Sequence, residues 1–436
     1  MSVAAHHVAP TPGQDEADRP PAPVTPLRAA AARRPRVAVV GLGYVGLPTA
    51  LALLEAGSDV IGIDTSARRR AAIARGAVDL LPADLDRLRR HTGTDRWVVT
   101  AFASALQQAD VVLVCVPTPV DEHRVPDLSA LRATCATVVA EARPGQLLVL
   151  TSTTYVGTTR DLLVVPLAER DLVAGRDVSV AFAPERIDPG NSDFPVERTP
   201  RVVGGATPQC LERAVRFLAR TAPLVHRVSS CEAAEMAKLH ENTFRAVNIA
   251  YVNEVADICD ELGLDVTEVI DAAASKPYGF LPFRPGPGVG GHCVPCDPHY
   301  LLWQLRARRV QAPVVETAMR AVAARPGHVV RRVQEALAEA RVLVVGVAYK
   351  PGVADLRESP ALEVLGALSD RGVHVGFTDP LVDTVVLPGR TLHAEPEVHA
   401  WEWDLALVHT RHPGVDVAAL LGGLATVDAT FGAGRP

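Results

Sequence analysis

The fold of this chain is indicated most clearly by the segment Arg36-Val-Ala-Val-Val-Gly41-Leu-Gly43-Tyr44-Val45-Gly46-Leu-Pro-Thr-Ala50. An apolar run of strand type leads into three glycines with the spacing G-x-G-x-x-G, and residues typical of a helix follow. A second apolar run, 59–63, ends in Asp64. In this order the glycines admit a pyrophosphate to the helix N-terminus, and the acid binds a ribose hydroxyl. The stretch therefore predicts a Rossmann domain that binds a dinucleotide, with the cofactor at Gly41, Gly43, Tyr44, Val45, Gly46 and Asp64.

Asp64 favours NAD over NADP, because its carboxylate repels a 2′-phosphate. Three arginines, 68–70, follow it and leave one alternative open, since basic residues at this place can accommodate that phosphate. We favour a solvated helix start in which Arg69 touches the adenosine side of the cofactor.

Apolar runs and helical segments alternate along the rest of the chain. Strand-type runs occur at 97–100, 111–116, 146–150, 178–183 and 201–203, and again at 341–347, 373–377, 405–409 and 425–427. Such alternation builds doubly wound parallel sheets. Between the two groups, residues 232–262 contain neither Pro nor Gly, which predicts one long helix. The expected fold class is α/β, with two Rossmann-like doubly wound parallel-sheet domains joined by a helical middle domain that contains a long central helix.

The order of these elements predicts both the assembly and the domains of the chain. A long helix of this kind can pair with a copy of itself, so we expect a homodimer through the central helix, or a higher homo-oligomer built from it. The expected parts are a disordered leader (1–35), an NAD-binding Rossmann domain (36–217), a helical central domain for dimerisation (218–330) and a second Rossmann-like domain (338–436).

Composition excludes several classes of function. The chain has 436 residues, 48% of them hydrophobic, which is enough for several cores. The net charge of -6 is spread without a long single-sign block, which argues against nucleic-acid and membrane-surface binding. The sequence shows no signal peptide and no membrane-length apolar run. Seven irregularly spaced cysteines suit a reducing, cytoplasmic compartment. Small molecules are the expected partners.

A glycine-rich loop presents a cysteine beside an acid. It reads Gly286-Pro-Gly288-Val-Gly290-Gly-His-Cys293-Val-Pro-Cys296-Asp297, and its glycines leave the backbone open to a ligand. This arrangement suits a thiol nucleophile, with Asp297 to orient a water or a proton. The Cys-x-x-Cys spacing beside histidines is also typical of zinc or redox sites, but the sequence contains no second Cys-x-x-Cys. We therefore expect no metal, Cys293 as the nucleophile and Cys296 as a buried apolar residue.

Polar residues at strand ends and on the long helix have both a structural and a functional interpretation. Pro117-Thr118 and Thr153 follow predicted strands, whose carboxyl ends face ligands in open α/β sheets, although ordinary turns contain the same residues. Lys238 and Asn242 are four positions apart and share one face of the helix, where a lysine is usually solvated.

Two further segments are ambiguous in the same way. Glu185 follows a strand-type run in what is otherwise a turn. Lys350 and Arg357 follow the first strand of the second alternation, where cations suit a phosphate or belong to a solvated loop.

Together these motifs resemble those of the nucleotide-sugar 6-dehydrogenases, the UDP-glucose/GDP-mannose dehydrogenase family, over about residues 36–428. The resemblance implies an oxidoreductase that converts the C6 hydroxyl of a nucleotide-sugar to the carboxylate of a uronic acid, a four-electron oxidation that reduces two NAD. It implies that Cys293 forms a thiohemiacetal and then a thioester, and that Glu185 assists its hydrolysis. The catalytic residues so implied are Cys293, Lys238, Asp297, Glu185, Asn242 and Thr153.

The resemblance also extends the expected binding sites. It adds Pro117, Thr118, Thr153 and Arg357 to the cofactor site, and it implies that the second Rossmann-like domain binds the nucleotide-sugar. The substrate-binding residues so implied are Glu185, Arg186, Lys238, Asn242, Phe283, Arg284, Gly286, Gly288, Gly290, Tyr349 and Lys350.

Two departures from the UDP-glucose dehydrogenases bear on the substrate. Glu185-Arg-Ile-Asp-Pro-Gly-Asn191 and the Gly-Gly-His before Cys293 are more typical of relatives that oxidise UDP-N-acetylglucosamine or UDP-N-acetylmannosamine. UDP-glucose and dTDP-glucose remain alternatives, as do two other classes of protein, a two-electron NAD hydroxyacid dehydrogenase and a non-catalytic NAD sensor. Polysaccharide biosynthesis and a secondary metabolite are both open as the pathway.

Overall fold

A computed structural model of the chain describes residues 34–186, 198–291, 293–336 and 341–432. The strands in these residues are β1 (Arg36–Val40), β2 (Asp59–Ile63), β3 (Trp97–Thr100), β4 (Val111–Val114), β5 (Leu147–Leu150), β6 (Ser179–Phe182), β7 (Arg201–Gly205), β8 (Val225–Val228), β9 (Val342–Val345), β10 (Val375–Thr378), β11 (Thr384–Leu387), β12 (Arg390–His393), β13 (Leu405–Val408) and β14 (Thr426–Asp428). The α-helices are α1 (Gly46–Glu55), α2 (Ala67–Arg75), α3 (Pro82–His91), α4 (Ser129–Glu141), α5 (Val165–Ala168), α6 (Pro208–Leu218), α7 (Cys231–Glu261), α8 (Val266–Ala274), α9 (Asp297–Ala307), α10 (Pro313–Ala336), α11 (Pro360–Asp370) and α12 (Val417–Leu421).

The first sheet has eight strands in the order β3-β2-β1-β4-β5-β6-β7-β8. Neighbouring strands are parallel from β3 to β6, β7 runs antiparallel to β6, and β8 is again parallel to β7. The order 3-2-1-4-5-6 is that of the Rossmann fold, in which ligands lie beyond the carboxyl ends of the strands. Every residue of β4 and β5 is buried, as expected for parallel strands with both faces covered.

Helix α9, which follows Cys293, packs into the core of this first domain. Tyr300 of α9 is fully buried in the same apolar cluster as Phe182 of β6 and Leu148 of β5. The loop that carries Cys293 is therefore anchored from its C-terminal side against the first sheet.

The central helix α7 has 31 residues and is fixed to the first domain by Glu235. The Glu235 side chain is 1% exposed, and its carboxylate accepts hydrogen bonds from the backbone N–H of Thr159 at 2.8 Å, from the Thr159 hydroxyl at 2.7 Å and from the backbone N–H of Gly157. Burial raises the pKa of Glu235, whereas the three donors favour its charged form. This buried network holds the N-terminal half of α7 in place.

The second α/β domain has a four-stranded parallel sheet in the order β10-β9-β13-β14, with β11 and β12 as a separate antiparallel hairpin. The core on one face of its sheet contains Phe377 and Leu407, both fully buried, together with Val329 from α10. Helix α10 thus links the central helices to this domain.

The predicted α/β class and the long central helix are confirmed. The structure adds β8, which pairs with β7 in the first sheet. Its two middle residues are polar and exposed, which hides the strand in the sequence. The structure also adds the β11–β12 hairpin. The expected domain bounds stay predictions. Residues 1–33 of the expected leader, 187–191 and His292 lie outside the described residues. No described helix combines the length and apolarity needed to cross a membrane.

Candidate active site

The three glycines of the opening stretch have different surroundings. Gly41 has a φ of +87°, and a Cβ added there would lie 2.7 Å from the backbone oxygen of Cys115. A Cβ on Gly46 would lie 1.8 Å from the backbone oxygen of Gly41. A Cβ on Gly43 would meet nothing within 4 Å. Gly41 and Gly46 therefore shape the turn, and Gly43 faces open space where a pyrophosphate can approach the backbone.

Asp64 lies at the end of β2 and faces the same turn. Its carboxylate accepts the backbone N–H of Leu42 at 3.0 Å and that of Ser66 at 2.9 Å, one on each oxygen. Each oxygen keeps a second lone pair for a ribose hydroxyl. Arg69 donates from Nε to the Leu42 backbone oxygen at 2.7 Å and so braces the turn; its contact with the cofactor stays a prediction. These residues fit a dinucleotide.

Arg357, from the second α/β domain, lies against Tyr44 of the glycine turn. The Arg357 guanidinium lies 4.0 Å from the centre of the Tyr44 ring, and Asp355 holds it by a 2.6 Å ion pair. Burial, with a smaller contribution from the charge of Asp355, raises the pKa of Tyr44. Arg357 is thus placed beside the predicted cofactor site.

The strand-end residues are close to one another in the sheet but differ in exposure. Pro117 and Thr118 follow β4, and Thr153 follows the adjacent strand β5. Thr118 is buried, Thr153 is half-buried and Pro117 is exposed. The Ser152 hydroxyl donates to the Val116 backbone oxygen at 2.7 Å, which joins the two strand ends.

Cys293 is the one exposed cysteine among the seven, and it lies one turn before α9. The backbone N–H of Asp297 donates to the Cys293 carbonyl at 2.9 Å. The Asp297 side chain is 1% exposed, accepts a hydrogen bond from the Asn242 amide and lies near Lys238, which is also buried. The structure thus brings together two pairs of residues, Lys238 with Asn242 and Cys293 with Asp297, that are more than 50 positions apart in the sequence.

Burial raises the pKa of Asp297 to about 6, although Lys238, Asn242 and Arg245 act in the opposite direction. The Cys293 sulfur is closely surrounded by protein atoms, although the residue as a whole is exposed to solvent. This crowding, together with the Asp297 charge, raises the pKa of the thiol, while Lys238, Arg245 and Arg357 oppose the rise. The site therefore holds a thiol that is mostly protonated and a carboxylate able to exchange a proton near neutral pH.

Glu185 is held at the end of β6 by a buried arginine. Arg201 of β7 forms an ion pair with its Oε2, and the backbone N–H of Arg186 donates to its Oε1 at 2.8 Å. Arg186 itself pairs with Glu241 of α7. Glu185 is thus a fixed carboxylate, and its part in hydrolysis stays a prediction.

The glycines of the thiol loop allow close packing against the second α/β domain. A Cβ on Gly288 would lie 2.7 Å from Pro360, and one on Gly290 would lie 2.5 Å from the Cβ of Tyr349. The backbone N–H of Gly291 donates to the Arg357 carbonyl at 2.9 Å.

The start of the loop is held differently. The backbone N–H of Gly286 donates to the Asn253 side-chain oxygen at 2.8 Å. Phe283 packs edge-on against Phe244 of α7 at 6.0 Å, and Arg284 pairs with Asp271. Lys350 follows Tyr349 and is half-buried. Substrate contacts of these residues stay predictions.

Family models match most of the chain in three consecutive pieces. The NAD binding domain of the UDP-glucose/GDP-mannose dehydrogenase family matches residues 35–221, its central domain matches 232–322 and its UDP binding domain matches 343–428. The chain belongs to the UDP-glucose/GDP-mannose dehydrogenase family. It is therefore an NAD-dependent nucleotide-sugar dehydrogenase, as the resemblance implied.

Relatives within this dehydrogenase family extend over most of the chain. It is 36% identical over 339 residues to the NDP-N-acetyl-D-galactosaminuronic acid dehydrogenase of Ralstonia nicotianae, covering 76% of this chain and 79% of the relative. It is 33% identical over 357 residues to the UDP-N-acetyl-D-glucosamine 6-dehydrogenase of Pseudomonas aeruginosa, covering 80% and 83%. The solved UDP-D-ManNAc dehydrogenase of Pyrococcus horikoshii superposes with a TM-score of 0.83 at 31% identity, covering 92% and 96%.

Two arginines of this site were not predicted from the sequence. Arg245 is seven positions after Lys238 on α7, and its charge acts on both Cys293 and Asp297. The helical spacing alone could have indicated it. Arg201, the partner of Glu185, gave no such signal, because Arg201 is on β7 whereas Glu185 follows β6. Among the described residues, no three His, Cys, Asp or Glu side chains are arranged to hold a metal.

Gly43→Ala and Gly46→Ala should separate cofactor binding from folding. The added methyl at 43 meets only open space, so we expect the melting temperature without NAD to stay near wild type while NAD affinity falls at least tenfold. The methyl at 46 collides with Gly41, so both stability and affinity should fall. Thermal unfolding and titration calorimetry measure the two effects. Unchanged NAD affinity in Gly43→Ala would contradict the assignment.

Alkylation of Cys293 by iodoacetamide should reveal the charges around it. Asp297→Asn removes the charge that raises the thiol pKa, so alkylation at pH 7 should accelerate, about tenfold for each unit by which that pKa falls. The difference from wild type should shrink below about pH 6, where Asp297 takes up a proton. Lys238→Met should slow the reaction. Asp86→Asn, which changes an exposed carboxylate on α3, is the control; a slower Asp297→Asn would overturn this electrostatic account.

Proposed function

We propose that this protein oxidises the C6 hydroxyl of a UDP-N-acetylhexosamine to a carboxylate, with Cys293 holding the sugar covalently between two hydride transfers. The observation that carries the proposal is the position of Cys293, an exposed residue, beside the buried Lys238, Asn242 and Asp297. A nucleophile, a cation, an amide donor and a proton acceptor are the groups that such an oxidation requires.

The glycine turn and Asp64 hold NAD, which accepts a hydride from C6 in each oxidation. Removal of the first hydride and a proton leaves an aldehyde. The Cys293 sulfur adds to the aldehyde carbon to give a thiohemiacetal, and loss of a second hydride and proton gives a thioester. Water then cleaves the C–S bond and returns the thiol. A serine would form an oxygen ester, which hydrolyses less readily.

The surrounding residues accept protons and stabilise the charge that develops during the reaction. Asp297, with a pKa raised to about 6 by burial, is mostly ionised at neutral pH and accepts a proton as the thiol adds. Lys238 and the Asn242 amide stabilise the oxyanion of the tetrahedral species. Glu185, fixed by Arg201, accepts a proton from the water that attacks the thioester. Arg245 supplies a further positive charge near the carboxylate product.

An N-acetylated sugar is supported by two observations. The relatives from Ralstonia, Pseudomonas and Pyrococcus are all named for N-acetylated sugars. The sequence segments 185–191 and 290–292 are those typical of such enzymes. Lys350 and the segment 283–286 would contact the diphosphate and the base. UDP-glucose is the second candidate, and a reducing cytoplasm is the proposed location, since all seven cysteines are free thiols.

The stoichiometry tests the mechanism. Two NADH should form for each uronate, and Cys293→Ser should lose uronate formation by more than about 10³-fold while its affinity for NAD is unchanged. A ratio of one NADH per sugar, or full uronate formation by Cys293→Ser, would contradict the thioester.

The identity of the substrate is tested separately, by comparing kcat/KM for UDP-N-acetylglucosamine, UDP-N-acetylmannosamine, UDP-N-acetylgalactosamine, UDP-glucose and dTDP-glucose. A preference for UDP-glucose would overturn the proposed substrate and leave the mechanism untouched.

A homodimer through α7 is the proposed assembly. Phe244, Tyr251 and Ile258 are spaced by seven residues and are 44%, 63% and 49% exposed, which forms an apolar stripe along the helix. We expect Tyr251→Glu to convert the dimer to a monomer in light scattering, because it places a charge in the stripe. Val386→Glu alters an apolar residue on β11 that is even more exposed, at 74%, and should leave the dimer intact. A Tyr251→Glu dimer would contradict this interface.

A further inference from the structure

Cys296 lies on the same turn of chain as Cys293. The backbone N–H of Cys296 donates to the Cys293 carbonyl at 3.3 Å, and that of Asp297 donates to it at 2.9 Å. A turn closed in this way brings the two Cα atoms within about 7 Å. Disulfides span Cα distances of about 4.4–6.8 Å, so the backbone already has the spacing that a disulfide requires.

The turn must tighten slightly for the two sulfurs to bond. Residues three apart on a helical turn have Cβ atoms about 5–6 Å apart, whereas a disulfide needs about 3.5–4.5 Å. A movement of about 1–2 Å closes this gap. Cys296 is buried at the start of α9, whereas Cys293 precedes the helix and is exposed, so we expect Cys293 to be the end of the turn that moves. A disulfide formed with such strain is easily reduced.

The two thiols have different surroundings. Cys293 is exposed at the site, whereas the Cys296 side chain is 3% exposed and its sulfur accepts a hydrogen bond from the Val120 backbone. Burial raises the pKa of Cys296 to about 12, so it stays protonated at neutral pH. An oxidant in solution therefore reacts with Cys293 first, while Cys296 stays a protonated thiol three positions away on the same turn.

We infer that Cys296 is a resolving thiol that captures oxidised Cys293 as a Cys293–Cys296 disulfide and so makes peroxide inactivation of this enzyme reversible. The thiolate of Cys293 attacks one oxygen of hydrogen peroxide, the O–O bond breaks and hydroxide leaves, which gives a sulfenic acid. The Cys296 sulfur then attacks the Cys293 sulfur. The S–O bond breaks, the proton of Cys296 leaves with the hydroxyl as water, and the disulfide remains. A dithiol reductant returns both thiols.

Cys296 determines which of two oxidation products Cys293 forms, a disulfide or a sulfinic acid. Without a neighbouring cysteine, a second peroxide converts the sulfenic acid to a sulfinic acid, which a dithiol cannot reduce. With Cys296 in place the nucleophile is masked but preserved. Because Cys293 cannot attack an aldehyde while it is bonded to Cys296, the disulfide form is inactive.

Peroxide treatment of the full-length protein followed by mass spectrometry tests the inference. Wild type should lose two hydrogens in mass, with Cys293 and Cys296 both resistant to alkylation until dithiothreitol is added, and its activity should return in full on reduction. Cys296→Ala and Cys296→Ser should match wild type before treatment. After treatment they should carry two added oxygens on Cys293 and recover less than about a tenth of their activity. Cys135→Ala, which removes a buried cysteine from α4, should behave as wild type.

The mass readout keeps this inference separate from the proposed function, on which only the activity readout rests. If Cys293 were not the nucleophile, the disulfide would still form and be seen by mass. A sulfinic acid on Cys293 of wild type under mild peroxide, or equal recovery by wild type and the Cys296 variants, would overturn the inference.

Discussion

A buried carboxylate cannot be left without partners, and in this protein the carboxylate of Asp297 determines how the central helices meet. Removing a charge from water costs several kcal/mol unless hydrogen bonds and an opposite charge compensate. Asp297 finds both on α7, in the Asn242 amide and the Lys238 ammonium. Helices α7 and α9 are therefore locked in one register. Since the Asp297 backbone also holds the Cys293 carbonyl, the same interaction positions the thiol.

The partners of this carboxylate also set the chemistry and stability of the site. Burial raises the Asp297 pKa to about 6 from an unfolded value of about 3.9. The folded state thus holds this proton more tightly than the unfolded state does, so the stability contributed by Asp297 is present below about pH 4 and is lost as the pH rises through 6. At neutral pH Asp297 is mostly ionised, so this contribution to stability is largely absent there. The charge of ionised Asp297 adds to burial in raising the pKa of the Cys293 thiol.

Sequence and structure agree best where a function depends on local spacing. The glycines 41, 43 and 46 and Asp64 were predictable because strand, turn and helix are consecutive in the chain. Lys238 and Asn242 were predictable as a helical pair, but only the family resemblance joined them to Cys293. The pairing of Glu185 with Arg201 was not predictable, because it depends on two strands meeting. Nor was the packing of Gly290 against Tyr349, a contact between distant segments that makes a glycine necessary for steric reasons.

Cys293 should carry the sugar covalently during a single turnover, and mass spectrometry of the protein detects this directly. Glu185→Gln, mixed with UDP-N-acetylhexosamine and NAD and quenched with acid, should yield intact protein heavier by a thioester-linked nucleotide-sugar, with the added mass on the peptide that contains Cys293. The adduct should disappear on treatment with hydroxylamine and should be absent from Cys293→Ser. Uronate formed at the wild-type rate with no protein-bound sugar at any time, or an adduct on another residue, would contradict the account.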